Sequence, residues 1–240
     1  MTTDLLYLTD AYLRRATGRV TAHTPEGGIV LDASVFYPTS GGQPGDSGHI
    51  SWDGGQMPIA SAVKVDGGGV ALVPGGAHGL PPVGTDITQE IDWDRRYAHM
   101  RVHTALHLLS VVVPLPVTGG SISVGKGRLD FDMPDAQIDK DDLAAQLNDI
   151  AARDLPVTED WITDAELEAQ PELVKTMSVA PPRGAGRVRL VRIGSGPHQV
   201  DLQPCGGTHV TTTREIGAMR IGKTEKKGRQ NRRIYLHIED

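Results

Sequence analysis

The sequence predicts an α+β protein in which a small N-terminal β-barrel precedes a mixed domain of helices and strands. Up to residue 92, short runs rich in β-branched residues alternate with turn residues, as in small barrels and sandwiches. Beyond that point the apolar periodicity becomes that of amphipathic helices, with further strand-like runs between them. We therefore expect a small β-barrel domain at residues 1–92 and an α+β domain at residues 93–240.

The first domain is expected to consist almost entirely of strands. Alternation is clearest at Ile87, Gln89 and Ile91, which would share one face of a strand while Thr88 and Glu90 point the other way. A helix fits the pattern only at residues 4–16. The expected strands cover residues 18–24, 28–37, 48–52, 59–65, 70–73 and 85–93.

Two helices are expected in the second domain. Asp94 is a suitable cap for a helix over residues 95–113, which Pro114 would end. A second helix is expected over residues 139–153. Its apolar stripe would consist of Leu143, Leu147, Ile150 and Ala151. The expected strands cover residues 128–132, 187–193, 199–203 and 232–238.

Two groups of potential metal ligands lie about a hundred residues apart. His103 and His107 are four residues apart on the first expected helix, so their imidazoles would share one face, with His99 in reserve one turn earlier. Cys205 and His209 have the same spacing in the glycine-rich segment Cys-Gly-Gly-Thr-His, where paired glycines permit positive φ and close backbone approach. Histidine nitrogens and a thiolate suit tetrahedral zinc. We therefore predict a Zn²⁺ site.

Composition places the chain among ordinary globular proteins. Its 240 residues contain a single cysteine, which excludes an internal disulfide and fits a reducing cytoplasm. The first residues lack the charged and apolar regions of a signal peptide. The most apolar run, residues 106–117, is too short to span a bilayer. We expect a cytoplasmic protein with no membrane role.

The net charge of −6 conceals an uneven distribution of charge along the chain. Residues 132–172 contain thirteen acidic and two basic residues, whereas residues 220–233 contain seven basic residues and one acidic residue. A local basic patch attracts phosphates even on an acidic protein. The alternative is a solvated loop. The basic side chains that we expect to contact RNA are Lys223, Lys226, Lys227, Arg229, Arg232 and Arg233.

Three stretches in order carry a resemblance to a known family. They are Phe-Tyr-Pro-Thr-Ser-Gly-Gly-Gln-Pro-Gly-Asp-Ser-Gly at residues 36–48, Arg-Val-His-Thr-Ala-Leu-His-Leu-Leu at residues 101–109, and Cys-Gly-Gly-Thr-His-Val at residues 205–210. Glu-Ile-Gly and Glu-Lys-Lys-Gly follow at residues 215–217 and 225–228. The chain resembles the editing domain of alanyl-tRNA synthetase, and more closely AlaX, the free-standing form of that domain. The resemblance extends over residues 18–238, and the length leaves no room for aminoacylation and tRNA-recognition domains.

The resemblance implies that the chain deacylates mischarged tRNA(Ala) in trans, with Ser-tRNA(Ala) as the first candidate substrate and Gly-tRNA(Ala) as the second. It also implies a zinc-containing editing domain like those of threonyl- and alanyl-tRNA synthetases, with no DNA partner; we expect a monomer. The candidate zinc ligands are His103, His107, Cys205 and His209; three would leave a position for water or substrate, whereas four would close the site. The candidate catalytic residues are His103, His107, Cys205, Thr104 and Gln43, and Asp201 is expected to orient a ligand histidine.

One position departs from the family pattern. Synthetase editing domains commonly have a threonine just before the second zinc histidine, where this chain has Leu106. Thr104 and Ser123 are then the candidates to contact a serine hydroxyl. Gly41-Gly42-Gln43 forms either a tight turn or a substrate-facing loop.

The same residues bear on three other functions. A metalloprotease of the His-Glu-x-x-His type is excluded, because Thr104 follows the first histidine where the catalytic glutamate would be. An editing domain of the threonyl-tRNA synthetase type and a non-catalytic, zinc-stabilised RNA-binding module both remain open.

Overall fold

A computed structural model describes residues 3–76, 79–134, 138–175 and 186–239. The chain forms an α+β structure of two compact units, Met1–Tyr97 and Ala98–Asp240. The domain boundary expected between residues 92 and 93 stays a prediction. Each unit is described by itself below.

The first unit contains a closed barrel in the order β2-β3-β7-β6-β5-β8, in which all neighbouring strands are antiparallel. A separate parallel pair is formed by β1 and β4. The strands are β1 Asp4–Leu5, β2 Arg15–His23, β3 Ile29–Leu31, β4 Ala33–Ser34, β5 Gly48–Trp52, β6 Gly55–Val65, β7 Gly69–Pro74 and β8 Asp86–Ile91.

The barrel core confirms the alternation expected in β8. Ile87, Gln89 and Ile91 are buried. The Gln89 amide stays satisfied, because its Nε2 donates to Ala33 O at 3.0 Å and its Oε1 accepts from Val35 N at 3.2 Å. The surrounding buried apolar residues are Val20, Ile29, Leu31, Val35, Phe36, Ile50, Met57, Ile59, Ala62, Val70 and Leu72.

The helix expected over residues 4–16 is wrong. Residues Leu6–Leu8 form a short 3₁₀ helix, and β2 begins at Arg15. From Arg15 to Arg19 this strand pairs with β8 and closes the barrel. The apolar spacing that suggested a helix is therefore overridden by strand pairing.

The second unit has two antiparallel sheets, with strand orders β14-β15-β10-β9 and β11-β12-β13. The helix α1 begins in the first unit and continues into the second. The elements are α1 Trp93–Val112, β9 Val117–Ser123, β10 Lys126–Asp132, α2 Lys140–Ala152, β11 Val157–Thr163, α3 Asp164–Glu168, β12 Arg187–Ile193, β13 Asp201–Pro204, β14 Met219–Lys227 and β15 Asn231–Ile238.

The two long helices have acidic residues at their starts. Asp92, rather than the expected Asp94, caps α1, since its Oδ1 accepts from Arg95 N at 3.2 Å and its carbonyl accepts from Arg96 N at 3.0 Å. Asp139 caps α2 by accepting from two backbone amides at 3.0 and 3.1 Å. On the expected stripe of α2, Leu143, Leu147 and Ala151 are buried and Ile150 is half-buried.

One glycine permits the helix α1 to pack closely on the four-stranded sheet. A Cβ at Gly127 of β10 would lie 2.6 Å from Val102 and 3.0 Å from Leu106 of the helix. A side chain at residue 127 would therefore push the two elements apart. The contact also places Leu106 in the apolar layer between helix and sheet.

Within the described residues, no helix has the length and apolar character needed to cross a membrane.

Candidate metal centre

The helix α1 and the loop after β13 bring the four expected ligands together. The ligand atoms of His103, His107, Cys205 and His209 all lie within 4.8 Å of one another. Cys205 Sγ is 3.5 Å from His103 Nε2 and 3.3 Å from His209 Nε2. His107 and His209 are buried, whereas His103 and Cys205 are half-buried. Segments that are distant in the chain therefore form one compact group.

The donor set fits a zinc ion. In a tetrahedral site with Zn–N of about 2.1 Å and Zn–S of about 2.3 Å, neighbouring ligand atoms lie roughly 3.5 Å apart. The two sulfur–nitrogen distances here, 3.5 and 3.3 Å, are of that size. Imidazole and thiolate groups, of which the site has three and one, are also ligands that bind zinc in preference to hard cations. We conclude that these residues are suited to hold zinc.

Hydrogen bonds orient the ring of His107 towards the group. Its Nδ1 donates to Asp201 Oδ2 at 2.9 Å, so Nε2 is the ring nitrogen left for the other members of the group. The buried Asp201 carboxylate also accepts from Gln203 Nε2 at 2.8 Å and from Lys175 Nζ at 2.5 Å. Gln203 further donates to Ser110 Oγ at 3.3 Å. The hydrogen bond between His107 and Asp201 is the one that the expected orienting role requires, and the role itself stays a prediction.

Thr104 orients His209 in the same way. Its hydroxyl donates to Met100 O at 3.0 Å, so the oxygen can only accept from His209 Nδ1 at 3.1 Å and from Val210 N at 3.3 Å. His209 therefore carries its proton on Nδ1, and Nε2 is available as a ligand. Thr104 is fully buried, and its expected catalytic role and its contact with a serine hydroxyl stay predictions.

The electrostatics of the group favour a thiolate. Burial raises the pKa of the Cys205 thiol, but the neighbouring His103 holds it well below its usual value. Burial lowers the pKa of His209, and His103 lowers it further, to about 3. Burial alone would lower the pKa of His107, but its hydrogen bonds with Asp201 and Cys205 raise it to about 9. The group therefore combines a low-pKa sulfur with a neutral His209.

The loop that carries Cys205 is held by backbone contacts rather than by unusual glycine conformations. Neither Gly206 nor Gly207 adopts a positive φ, so the expectation of left-handed backbone there is wrong. The Gly207 amide donates to Cys205 Sγ at 3.4 Å. The buried Arg189 of β12 donates to carbonyl oxygens of this loop, and the sequence analysis did not identify it.

The remaining candidates lie outside the metal group. His99 is buried one turn before His103 and is not among the clustered ligands. Ser123 is exposed at the end of β9. Gly41 and Gly42 have φ of 55° and 84° and form a tight turn closed by backbone bonds between Ser40 and Gln43. The Gln43 side chain is buried, and its catalytic role stays a prediction.

The basic segment forms a hairpin of β14 and β15, and its contact with RNA stays a prediction beside the alternative of a solvated segment. Lys226, Lys227, Gly228 and Arg229, here called the hairpin tip, are exposed.

Other basic side chains of the hairpin also have partners within the protein, as does Lys227 of the tip, whose Nζ lies 3.6 Å from Glu225 Oε2. Lys223 pairs with Glu225 at 2.5 Å, and Arg232 Nη2 donates to Pro134 O at 2.6 Å. Arg233 binds Asp130 of β10, and this hydrogen bond raises the pKa of its guanidinium. The phosphate contacts that we expected for all six residues stay predictions.

Several supporting residues were missed because their role depends on tertiary contacts. Asp201 and Gln203 alternate along β13, so a period of two places both on one face, just before Cys205. That pattern was a usable signal for Gln203. Ser110, Lys175 and Arg189 come from other elements, and no local pattern marked them.

Two family models match the chain. The one described as "Threonyl and Alanyl tRNA synthetase second additional domain" matches residues 188–235. The one described as "tRNA synthetases class II (A)" matches residues 12–95.

Full-length relatives give a broader match. An "Alanyl-tRNA editing protein AlaX-M" from Methanosarcina barkeri is 33% identical over 249 residues, covering 99% of this chain and 100% of the relative. The protein of the same name from Methanosarcina mazei is 34% identical over 251 residues, covering 99% of this chain and 97% of the relative. An alanine–tRNA ligase from Pyrobaculum neutrophilum is 32% identical over 232 residues, covering 92% of this chain but 25% of the ligase.

Proposed function

The chain belongs to the AlaX-M family of alanyl-tRNA editing proteins, and on that basis we propose that it hydrolyses the ester of tRNA(Ala) mischarged with serine. Glycine on tRNA(Ala) is the second proposed substrate. The products are free tRNA and the free amino acid, so the enzyme is an aminoacyl-tRNA deacylase. The observation that carries the proposal is the convergence of three histidines and one cysteine within 4.8 Å, with His107 hydrogen-bonded to Asp201 and His209 to Thr104.

The reaction makes modest chemical demands. An aminoacyl ester is already activated, so the enzyme has to hold it, position a water molecule and stabilise the oxyanion that develops. A rigid, half-buried polar group between a helix and a loop meets the first two requirements. His103 and Cys205 are the half-buried members, and we propose that substrate approaches from their side.

The chain's own residues have distinct roles in the proposal. Three of the residues His103, His107, Cys205 and His209 would hold Zn²⁺ while water or substrate takes the fourth position, and Asp201 and Thr104 fix the rings of His107 and His209. When bound, zinc supplies Lewis-acid polarisation of a water or of a carbonyl oxygen. Lys175 keeps the Asp201 carboxylate charged, because its ammonium bonds the oxygen that His107 does not use. Gln203 Nε2 donates a further hydrogen bond to the Asp201 carboxylate.

The hairpin tip is the proposed contact with the acceptor stem. Lys226, Lys227 and Arg229 are exposed, and phosphate contacts position an RNA without reading its sequence. The charge that faces the RNA is therefore smaller than the sequence count suggests, because Arg232 and Arg233 are engaged within the protein.

Incubation of the purified protein with Ser-, Gly- and Ala-charged tRNA(Ala), with and without a zinc chelator, tests the proposal. We expect fast release of serine, slower release of glycine, no release of alanine, and loss of all activity on chelation. Threonine release from mischarged tRNA would instead indicate the threonyl type of editing domain. Binding of tRNA without any deacylation would indicate a zinc-stabilised RNA-binding module.

A further inference from the structure

Arg189 lies at the centre of the three-stranded sheet and reaches into the loop that carries the metal ligands. Its residue is 5% exposed, so the guanidinium is almost fully shielded from solvent. Its Nη1 donates to Cys205 O and to Gly207 O, both at 2.9 Å. A single nitrogen therefore holds two carbonyl groups that lie two residues apart in the loop.

Two further contacts fix Arg189 itself. Its Nη2 forms an ion pair with Glu159 of β11, and its carbonyl accepts from Cys205 N at 3.1 Å. Arg189 therefore holds the Cys205 backbone on both sides. The Cys205 amide donates to the Arg189 carbonyl, and the Cys205 carbonyl accepts from the Arg189 guanidinium. Arg189 Nε has no hydrogen-bond partner among the described residues. A buried, unsatisfied donor costs stability, so packing alone does not explain an arginine here.

We infer that Arg189 is a positioning residue that shapes the turn from Cys205 to Gly207 so that Cys205 Sγ and His209 Nε2 face the histidines of α1. Two carbonyl oxygens directed at one point repel each other unless a cation lies between them. The planar guanidinium supplies that charge and anchors itself on Glu159 through a different nitrogen. The catalytic consequence of this inference rests on the proposed function, whereas the effect of Arg189 on the loop geometry does not.

The same strand provides a matched control. Arg192 of β12 also pairs with a carboxylate of β11, since its Nε and Nη2 donate to Asp160 Oδ2 at 2.8 and 2.6 Å. Arg192 lies three residues after Arg189 and therefore on the opposite face of the strand. Its contacts are with Asp160 and Gln199, outside the metal loop. Replacing Arg192 removes a comparable ion pair without touching that loop.

The test measures zinc affinity by competition with a chelating dye, without any tRNA, for the wild-type protein, Arg189→Met, Arg189→Lys and Arg192→Met. Methionine keeps much of the buried stem but removes every donor, and we expect it to weaken zinc binding by about 10–100-fold. Lysine keeps the charge but not the fork geometry, so we expect a smaller loss. Arg192→Met is expected to bind zinc like the wild type.

A second readout does not need metal. In the metal-free proteins, amide hydrogen exchange of a peptide covering residues 205–210 is expected to accelerate in Arg189→Met and to stay unchanged in Arg192→Met.

Wild-type zinc affinity in a folded Arg189→Met protein would overturn the inference. If that variant does not fold, unchanged affinity in Arg189→Lys would overturn it. If the wild type binds no zinc, the exchange experiment decides alone, and equal exchange in the two proteins overturns the inference. An inactive wild type in the deacylation assay would refute the proposed function and leave both readouts valid.

Discussion

Arg233 of β15 and Asp130 of β10 lie directly opposite each other, and the guanidinium donates to both carboxylate oxygens at 2.7 and 2.8 Å. Arg128 donates to the same carboxylate at 2.7 Å. The bidentate pair connects the basic hairpin to the middle of the four-stranded sheet. Arg233, one of the six basic residues expected to contact RNA, is therefore engaged within the sheet.

Asp130→Asn is expected to lower the free energy of unfolding at neutral pH by about 1–3 kcal/mol, because two arginines lose a charged acceptor. Burial raises the pKa of Asp130, but Arg233 and Arg128 lower it below its usual value. The stabilisation is therefore fully present above the unfolded-state pKa of about 3.9 and is lost as the pH falls through the lower folded-state pKa. Urea unfolding of both proteins across this range measures the difference, which should shrink in acid. A difference independent of pH would contradict the assignment.

Neutralising Lys226, Lys227 and Arg229 together is expected to weaken binding to correctly and incorrectly charged tRNA alike. Backbone contacts carry little sequence information, so discrimination between the two should not change. The slope of log affinity against log salt should flatten by up to about 2–3, since fewer counterions are released. Turnover at saturating substrate should change little. Binding titrations at several salt concentrations measure the slope.

The control for that variant removes the same number of positive charges elsewhere. Lys64, Lys140 and Arg153 are exposed outside the hairpin, and their replacement by glutamine changes net charge by the same amount. If both triple variants lose affinity equally, the effect is one of overall charge and the hairpin has no special role.

The protein purified without added metal is expected to contain about one zinc ion per chain. Removal of the metal by a chelator should lower the thermal stability, because binding free energy is linked to folding, and re-addition of zinc should restore it. Elemental analysis and thermal unfolding measure these two results. A fully active protein without metal would refute the zinc centre.

Cys205→Ala and His103→Ala are each expected to abolish deacylation of Ser-tRNA(Ala), because each removes a ligand from the centre. His198→Ala provides a histidine control, since His198 is exposed outside the metal group. Release of labelled serine measures the rates, and circular dichroism checks folding. Near-native turnover in folded Cys205→Ala would show that the group is not catalytic.

Thr104→Val is expected to weaken zinc binding by about 10-fold or more, because the hydroxyl that fixes the tautomer of His209 is lost while the side-chain volume is nearly kept. The control is Thr21→Val, which removes a hydroxyl that donates to Val30 O in the barrel. Competition with a chelating dye measures both affinities. Equal affinity in the Thr104 variant and the wild type would mean that His209 does not bind the metal.

The sequence predicted elements best where one local signal was enough. The strand Arg187–Ile193 and the helix α2 were located to within a residue, because apolar alternation along a strand and the apolar stripe of a helix are short-range features. The strands β9, β11 and β14 were missed. β9 contains adjacent glycines, β11 lies in the acidic region and β14 in the basic one, so their pairing with neighbours outweighs weak intrinsic preference.

The metal group was predictable for a related reason. Equal spacing of four places His103 over His107 on a helix, and the same spacing recurs at Cys205 and His209, so composition and periodicity identified all four candidates. The residues that hold them were harder to find. The hydrogen bond from Arg189 to the loop and the use of Thr104 as an acceptor depend on how strands and helix meet, which no local pattern records.

The ligands of the centre are separated by almost a hundred residues of chain, and this sets an order of events during synthesis. At about 5–20 residues per second, the two histidines of α1 leave the ribosome roughly 5–20 s before Cys205. In that interval the nascent chain presents an imidazole pair without its thiolate, a poor competitor for zinc. Metal capture at the proposed centre would therefore wait for the segment that carries Cys205 and His209.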